Sequence, residues 1–225
     1  MKRNTILHFT FYIIPLTFVL SFLSCSDDKE DAYPSLITEM VMAKANAEGK
    51  MASFTTDDGT TYLVDNTISG MTANDCLRCL CTYLMETAGH VKVYRAEAVP
   101  ILWDYTNVST MKRDPTGIQS AWLSGGYINL HLTPKTQGGK QAWGFTRDSV
   151  TQNTLGGSTY HLSLYHDQRD DFAAYSTDLF ACISLDSIPQ APATLSSLDS
   201  IRLTVQTFTA SPFKQAWKVH SSVDS

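Results

Sequence analysis

GYINLHL, residues 126–132, alternates strictly: Tyr127, Asn129 and His131 fall on one side of an extended strand, Ile128, Leu130 and Leu132 on the other. STYHLSLYH, residues 158–166, repeats the device, with Leu162 and Leu164 on the apolar side and His161, Ser163 and Tyr165 on the polar side. A period of two describes a strand with one face on a core and one towards water. QAWGFTR (141–147), TDLFACISL (177–185), SIRLTVQTF (200–208) and WKVH (217–220) add further short strands. Gly125-Gly126, Gly138-Gly139 and Gly156-Gly157 read as turns between them. Short strands, glycine-rich turns and no helical period predict a β-sandwich over residues 104–225.

Upstream of it the pattern is also β. LITEMVMAKA (36–45) ends at the turn cluster Asn46-Ala47-Glu48-Gly49. MASFTT (51–56) and TTYLV (60–64) flank Asp57-Asp58-Gly59, whose residues tolerate the positive φ of a tight hairpin. After a looser stretch come LRCLCTYLM (77–85) and HVKVYRAEAV (90–99), joined through Glu86-Thr87-Ala88-Gly89. Five strands, three as a meander and two as a hairpin, suit a small closed barrel of the OB type over residues 35–103. An SH3-like barrel reads much the same. The junction falls at Asp104-Tyr105-Thr106-Asn107 and the following Lys112-Arg113-Asp114-Pro115.

The first 24 residues, MKRNTILHFTFYIIPLTFVLSFLS, set a positive start before an apolar run that stops at Cys25. This is the layout of an export signal; a retained membrane-spanning helix is the alternative. With Ser24 directly before the cysteine, the segment resembles a bacterial lipoprotein signal, although Phe22 stands where that pattern usually has Leu. The resemblance implies cleavage before Cys25 and lipid attachment there. Ser26, Asp27, Asp28, Lys29, Glu30 and Asp31 resemble the acidic surface-export signal of Bacteroidota lipoproteins. From composition alone, residues 25–34 are a solvated tether. The expected address is the outer membrane, lipid-anchored, at the cell surface, with the membrane as one partner.

Of 225 residues, 17 are Lys or Arg and 22 Asp or Glu. Removing residues 1–24 takes Lys2 and Arg3 but no acid, so the mature chain carries 15 basic against 22 acidic side chains, a net of −7. No basic run appears, which argues against nucleic acid as a partner.

Cys76, Cys79 and Cys81 crowd one strand, with Cys182 far along the chain. Zinc wants four ligands in a tetrahedron; Cys79 and Cys81, two apart on a strand, read as small apolar side chains facing the barrel core. A disulfide from Cys76 to Cys79 or Cys81 stays open. Asp167, Asp170, Asp171 and Asp178 could hold calcium, but no D-x-D-x-D-G ladder is present. The expected role of these acids is to brace a long connection, with Arg169 paired to one of them. His131, His161 and His166 read as solvated or hydrogen-bonded rather than as a zinc site. G-x-S-x-G, H-E-x-x-H and phosphate-cradling loops are missing, so no catalytic residue, metal or cofactor is expected.

YPSLITEM, FTTDDGTTYLV, RCLCTY, AWLSGGYINLHL and LYHDQRDDFAAYSTDLFACISL together resemble, in order, the NigD-like lipoproteins of Bacteroidales. The resemblance covers nearly all of the chain beyond the tether. It implies an N-terminal OB domain, a C-terminal β-sandwich and, from the bacteriocin operon that named the family, an immunity-like role. It supplies no catalytic residues. The expectation is a non-catalytic envelope lipoprotein that binds a protein partner through faces or loops carrying Tyr62, Tyr127 and Tyr165. The alternative is a surface protein that binds or processes glycans, which would need an aromatic-lined cleft and, for hydrolysis, a carboxylate pair.

Overall fold

The computed structural model describes residues 35–106, 110–192 and 194–219. The signal, Cys25 and the acidic tether lie outside the described residues.

Five strands build the barrel: β1 (Ile37–Ala45), β2 (Met51–Thr56), β3 (Thr61–Val64), β4 (Cys76–Thr87) and β5 (His90–Ala98). They close in the order β1-β2-β3-β5-β4, with β1 returning to pair β4. The Asp57-Asp58-Gly59 turn joins β2 to β3, and Gly59 takes φ +90° there. The closure depends on a parallel pairing of β3 with β5, which no local signal announces. Val41, Ala43, Phe54, Cys79, Cys81, Tyr83, Val91 and Val93 fill the interior.

The chain leaves the barrel at Ala98 and pairs with sandwich strands before residue 104. β6 (Trp103–Asp104) runs parallel to β10 (Ala142–Gln152), so the sequence division at 103/104 falls within a strand of the second sheet system. The remaining strands are β7 (Gly117–Ser124), β8 (Tyr127–Thr133), β9 (Lys135–Thr136), β11 (Ser158–Asp167), β12 (Tyr175–Ser176), β13 (Leu179–Ser184), β14 (Ser200–Val205) and β15 (Phe213–Lys218). One sheet has the order β15-β14-β11-β10-β6, another β13-β8-β7, and β12 with β9 forms a ribbon. The first two enclose a core of Ile128, Leu130, Leu132, Phe145, Leu162, Leu164, Ile183, Ile201 and Leu203. Gly125 and Gly126, at φ +58° and +80°, form the two-residue β7–β8 turn with both positions left-handed.

The period of two predicts the apolar faces correctly but not the fate of the other faces. Asn129 and Ser163, expected towards water, are buried at 0% and 3% exposure. Asn129 is covered by the barrel, and Ser163 donates to Asp148 on a face that Tyr105, Thr106 and Arg113 overlie. β4 is also buried on two sides: Cys79, Cys81 and Tyr83 enter the barrel, while Arg78 and Leu80 face the sandwich. Met40, Val99 and Cys182, with Trp122 and Phe180, make the apolar seam between the two halves. From Leu36 onward, barrel and sandwich form one compact unit.

Candidate interdomain binding site

Arg78 is the lone cation in the apolar strand CLRCLC, and its side chain lies at the seam with 3% of its surface exposed. A buried guanidinium needs a counter-charge and acceptors for its fork of donors. Its Nη1 donates to Asp57 Oδ1 at 2.5 Å and its Nη2 to Asp57 Oδ2 at 2.8 Å. Nη2 also donates to Asn129 Oδ1 across the seam at 3.0 Å. The guanidinium carbon stands 4.5 Å from the centre of the Tyr127 ring. Ser124 Oγ donates to Asp57 Oδ2 at 2.5 Å, and Asn129 Nδ2 donates to Ser124 Oγ at 3.0 Å. Burial works against the charge on Arg78, but Asp57, through hydrogen bond and charge, holds its pKa above the ordinary value.

Gly125 is what lets the hairpin tip approach. A Cβ at that position would overlap the Asp57 carboxylate, and the residue already has positive φ. Gly125→Ala is therefore expected to loosen the seam; limited proteolysis should cut the variant faster than wild type, and equal rates would rule out this close approach.

Beside this network opens a cleft of about 740 Å³. The barrel contributes Met42, Thr55 and the Asp57–Arg78 pair, the sandwich Leu123, Tyr127, Leu185 and Val219. Asp57 accepts three hydrogen bonds, one on Oδ1 and two on Oδ2, which engages most of the carboxylate's acceptor capacity. Tyr127 is the aromatic residue of the cleft, and its ring already packs against Arg78.

Of the three tyrosines expected to offer contacts, Tyr62 and Tyr127 are half-buried and Tyr165 is buried. Tyr62 packs on the barrel core 5.7 Å from Phe54 and 5.9 Å from Tyr83. Tyr165 is 7% exposed because Tyr105 stacks on it, centres 4.2 Å apart and planes at 7°. Tyr62 is thus turned to the barrel interior, Tyr165 is covered by a segment distant in sequence, and Tyr127 is the one of the three that lines the cleft.

Cys79 and Cys81 are buried in the barrel as expected, and both are free, as are Cys76 and Cys182. Burial pushes the Cys81 thiol up to about 12 and that of Cys182 to about 11, the reverse of what an attacking thiolate needs. Among the described residues no three His, Cys, Asp or Glu side chains come together as metal ligands. His131 binds Asp178 at 2.7 Å, and His161 meets Thr151. His166 is 2% exposed, stacked on Trp143 at 3.8 Å, with its ring nitrogens 2.9 Å from the Asp114 carbonyl and 2.8 Å from Gln141 Oε1.

The acidic loop braces a connection as expected, although its ion pair differs. Asp167 pairs with Lys112 at 2.8 Å, while Arg169 contributes only its backbone N–H to Asp167. Asp171 accepts from Thr136 Oγ1, the backbone N–H groups of Gln137 and Gly139, and Gln141 Nε2. The Thr136 hydroxyl foremost, then the other donors, lowers its pKa to about 2 from 3.8. The carboxylate's stabilising effect is thus complete above pH 3.8 and lost as pH falls towards 2. Over that window the urea midpoint of wild type should fall more steeply than that of Asp171→Asn; parallel curves would remove Asp171 from the acid response.

A family model described as the NigD-like C-terminal beta sandwich domain matches residues 99–215. The chain belongs to the NigD-like family. That match begins just after β5, where the fold turns from barrel to sandwich. Among solved structures, a NigD-like immunity protein from Bacteroides caccae is 24% identical, with TM-score 0.65 over 81% of this chain and 93% of that one. A protein from Parabacteroides distasonis, provisionally described as toxin-related, is 17% identical with TM-score 0.60, covering 84% of this chain and 95% of its own. One from Bacteroides fragilis, provisionally described as a lipoprotein, is 14% identical with TM-score 0.56 over 82% and 97%. Similarity at this level establishes a shared fold for barrel and sandwich together. Among curated proteins none matches the chain.

Arg78, Asp57, Ser124 and Asn129 escape a reading of the sequence that attends to the cysteines around Arg78. The signal was a single charge inside an apolar strand, which must find a counter-charge somewhere in the fold.

Proposed function

We propose that this NigD-like chain is a lipid-anchored, non-catalytic binding protein of the outer membrane, facing the cell exterior. Its barrel–sandwich cleft receives a protein partner in an immunity-like role. The observation that carries this reading is the state of the cleft's polar groups. Asp57 and Arg78 neutralise each other and are locked by Ser124 and Asn129, which leaves a preformed surface whose one other charged lining residue, among the described residues, is Asp186, a lone carboxylate without the second unpaired acid that glycoside hydrolysis needs. A glycan reading would call for open aromatic rings to stack on sugars, and the cleft's Tyr127 ring is taken by Arg78. The B. caccae protein's description as an immunity protein and the B. fragilis protein's as a lipoprotein agree with the proposal.

The test is a killing assay. Cells lacking the gene are challenged with culture fluids of related strains and complemented with wild type, Cys25→Ala or Met42→Arg, the last placing a charge in the cleft. Protection by wild type alone is the expected result. Protection by Cys25→Ala would remove the anchor from the mechanism, and protection by Met42→Arg would remove the cleft. Equal survival with and without the gene across a broad panel would reject the immunity-like role.

A further inference from the structure

On β14 Ile201, Leu203 and Val205 enter the core, so Arg202 and Thr204 point to the outer face of the larger sheet. On β15 Phe213 and Trp217 pack towards the core, leaving Lys214, Ala216 and Lys218 exposed on the other side. The register sets Arg202 opposite Ala216, with Ser200 opposite Lys218 and Thr204 opposite Lys214. His161 of β11 stands beside Arg202. Diagonal neighbours on one face of a ladder lie about 7–8 Å apart, so the three cations form one strip with His161 along its side. Ser149 and Thr151 of β10 extend the same face.

Among the described residues, none of Arg202, Lys214 and Lys218 makes an ion pair. Asp148, the carboxylate that reaches this face, is occupied by Arg113, Thr146 and Ser163. The mature chain has a net charge of −7, so this strip is a local concentration of the opposite sign.

We propose that this sheet face rests on the anionic headgroups of the membrane to which the chain is tethered. The choice of occupant follows from strength and shape. Each cation near an anionic surface is worth about fivefold in partitioning, and three give roughly a hundredfold. That is too little to capture a dilute soluble partner. It is decisive for a body already confined by a tether, where it selects an orientation rather than supplying the attachment. The tether, residues 25–34, reaches about 35 Å at full extension, which keeps the domain within contact of the surface. A sheet face also presents its cations at a similar height, as a plane of headgroups requires. The proposal rests on the reading of Cys25 as a lipid anchor.

The test uses the chain from residue 25 onward with Cys25→Ala, so that no lipid is attached, and supplies lipid in large excess, where a roughly hundredfold partition can be read without an anchor. It is sedimented with phosphatidylcholine vesicles and with vesicles that also contain phosphatidylglycerol. Association with the anionic vesicles alone is expected, weakening as salt is added. Arg202→Gln/Lys214→Gln/Lys218→Gln should lower it by at least about tenfold. Lys44→Gln/Lys50→Gln/Lys92→Gln, which removes the same charge from exposed barrel positions, should leave it unchanged. All six changes are on exposed side chains, and unchanged unfolding midpoints would confirm that both variants fold. Equal losses in the two triple variants, binding to the neutral vesicles, or no binding to the anionic ones would overturn the proposal. So would a preference for soluble polyphosphate when both are offered. Failure here leaves the anchor itself untouched, because lipid attachment is read separately from the mass of the peptide that bears Cys25.

Discussion

Arg78→Ala is expected to destabilise the protein by about 3–5 kcal/mol, since removing one partner of a buried ion pair leaves the other uncompensated. Asp57 would keep its Ser124 donor and lose both guanidinium contacts; Asn129 would lose its donor while remaining fully buried. Urea unfolding of the single variants gives the first check. The more telling measurement is the cycle with Asp57→Ala. The double variant should be destabilised by much less than the sum of the two singles, because no bare charge then remains at the seam. Additive losses would mean that the pair is not coupled in the folded protein.

Phe54→Ala should cost a similar amount, about 3–5 kcal/mol, for a different reason: a cavity replaces a ring that nothing nearby can refill. Phe54 is 0% exposed and lies 4.9 Å from Tyr83 and 5.7 Å from Tyr62, ring centre to ring centre. It is paired across the ladder with Ala43, whose small side chain leaves the space the ring fills. Relief by the flanking strands is restricted because the barrel is closed through β1 and β4. Phe54→Leu, which retains most of the volume, should cost less than half as much. Equal costs would show that the barrel interior tolerates looser packing than its closed ladder implies.

The strands and both halves of the fold could be read from local signals. Asp57-Asp58-Gly59 marked a hairpin because a glycine there can take the positive φ it adopts, and the alternation in GYINLHL marked Ile128, Leu130 and Leu132 as core. The parallel pairings of β3 with β5, β10 with β6 and β11 with β14 could not be read. Each joins segments whose neighbourhood exists only after the chain has folded. The same limit applies to the polar faces of the strands. Alternation gives a strand two faces but does not say whether a second layer will cover the polar one. Tyr165 lies under Tyr105, and Asn129 under Arg78. Arg78 was legible in part: its position inside CLRCLC announced a buried charge, while the identity of its partner depended on how β4 and the β2–β3 turn meet.

Both charges of the buried ion pair belong to the barrel, and the sandwich meets them with a neutral hydroxyl and a neutral amide. Parting the two halves would therefore return an already neutralised pair to water, with no isolated ion created along the way. The electrostatic barrier to opening is set by a few hydrogen bonds rather than by charge separation, and the apolar seam around Met40, Val99 and Cys182 holds the rest. In kinetic terms the barrel can complete its ion pair before the sandwich arrives, and docking can come last. Opening at the seam would then be reversible, with the barrel carrying its neutralised pair through each cycle.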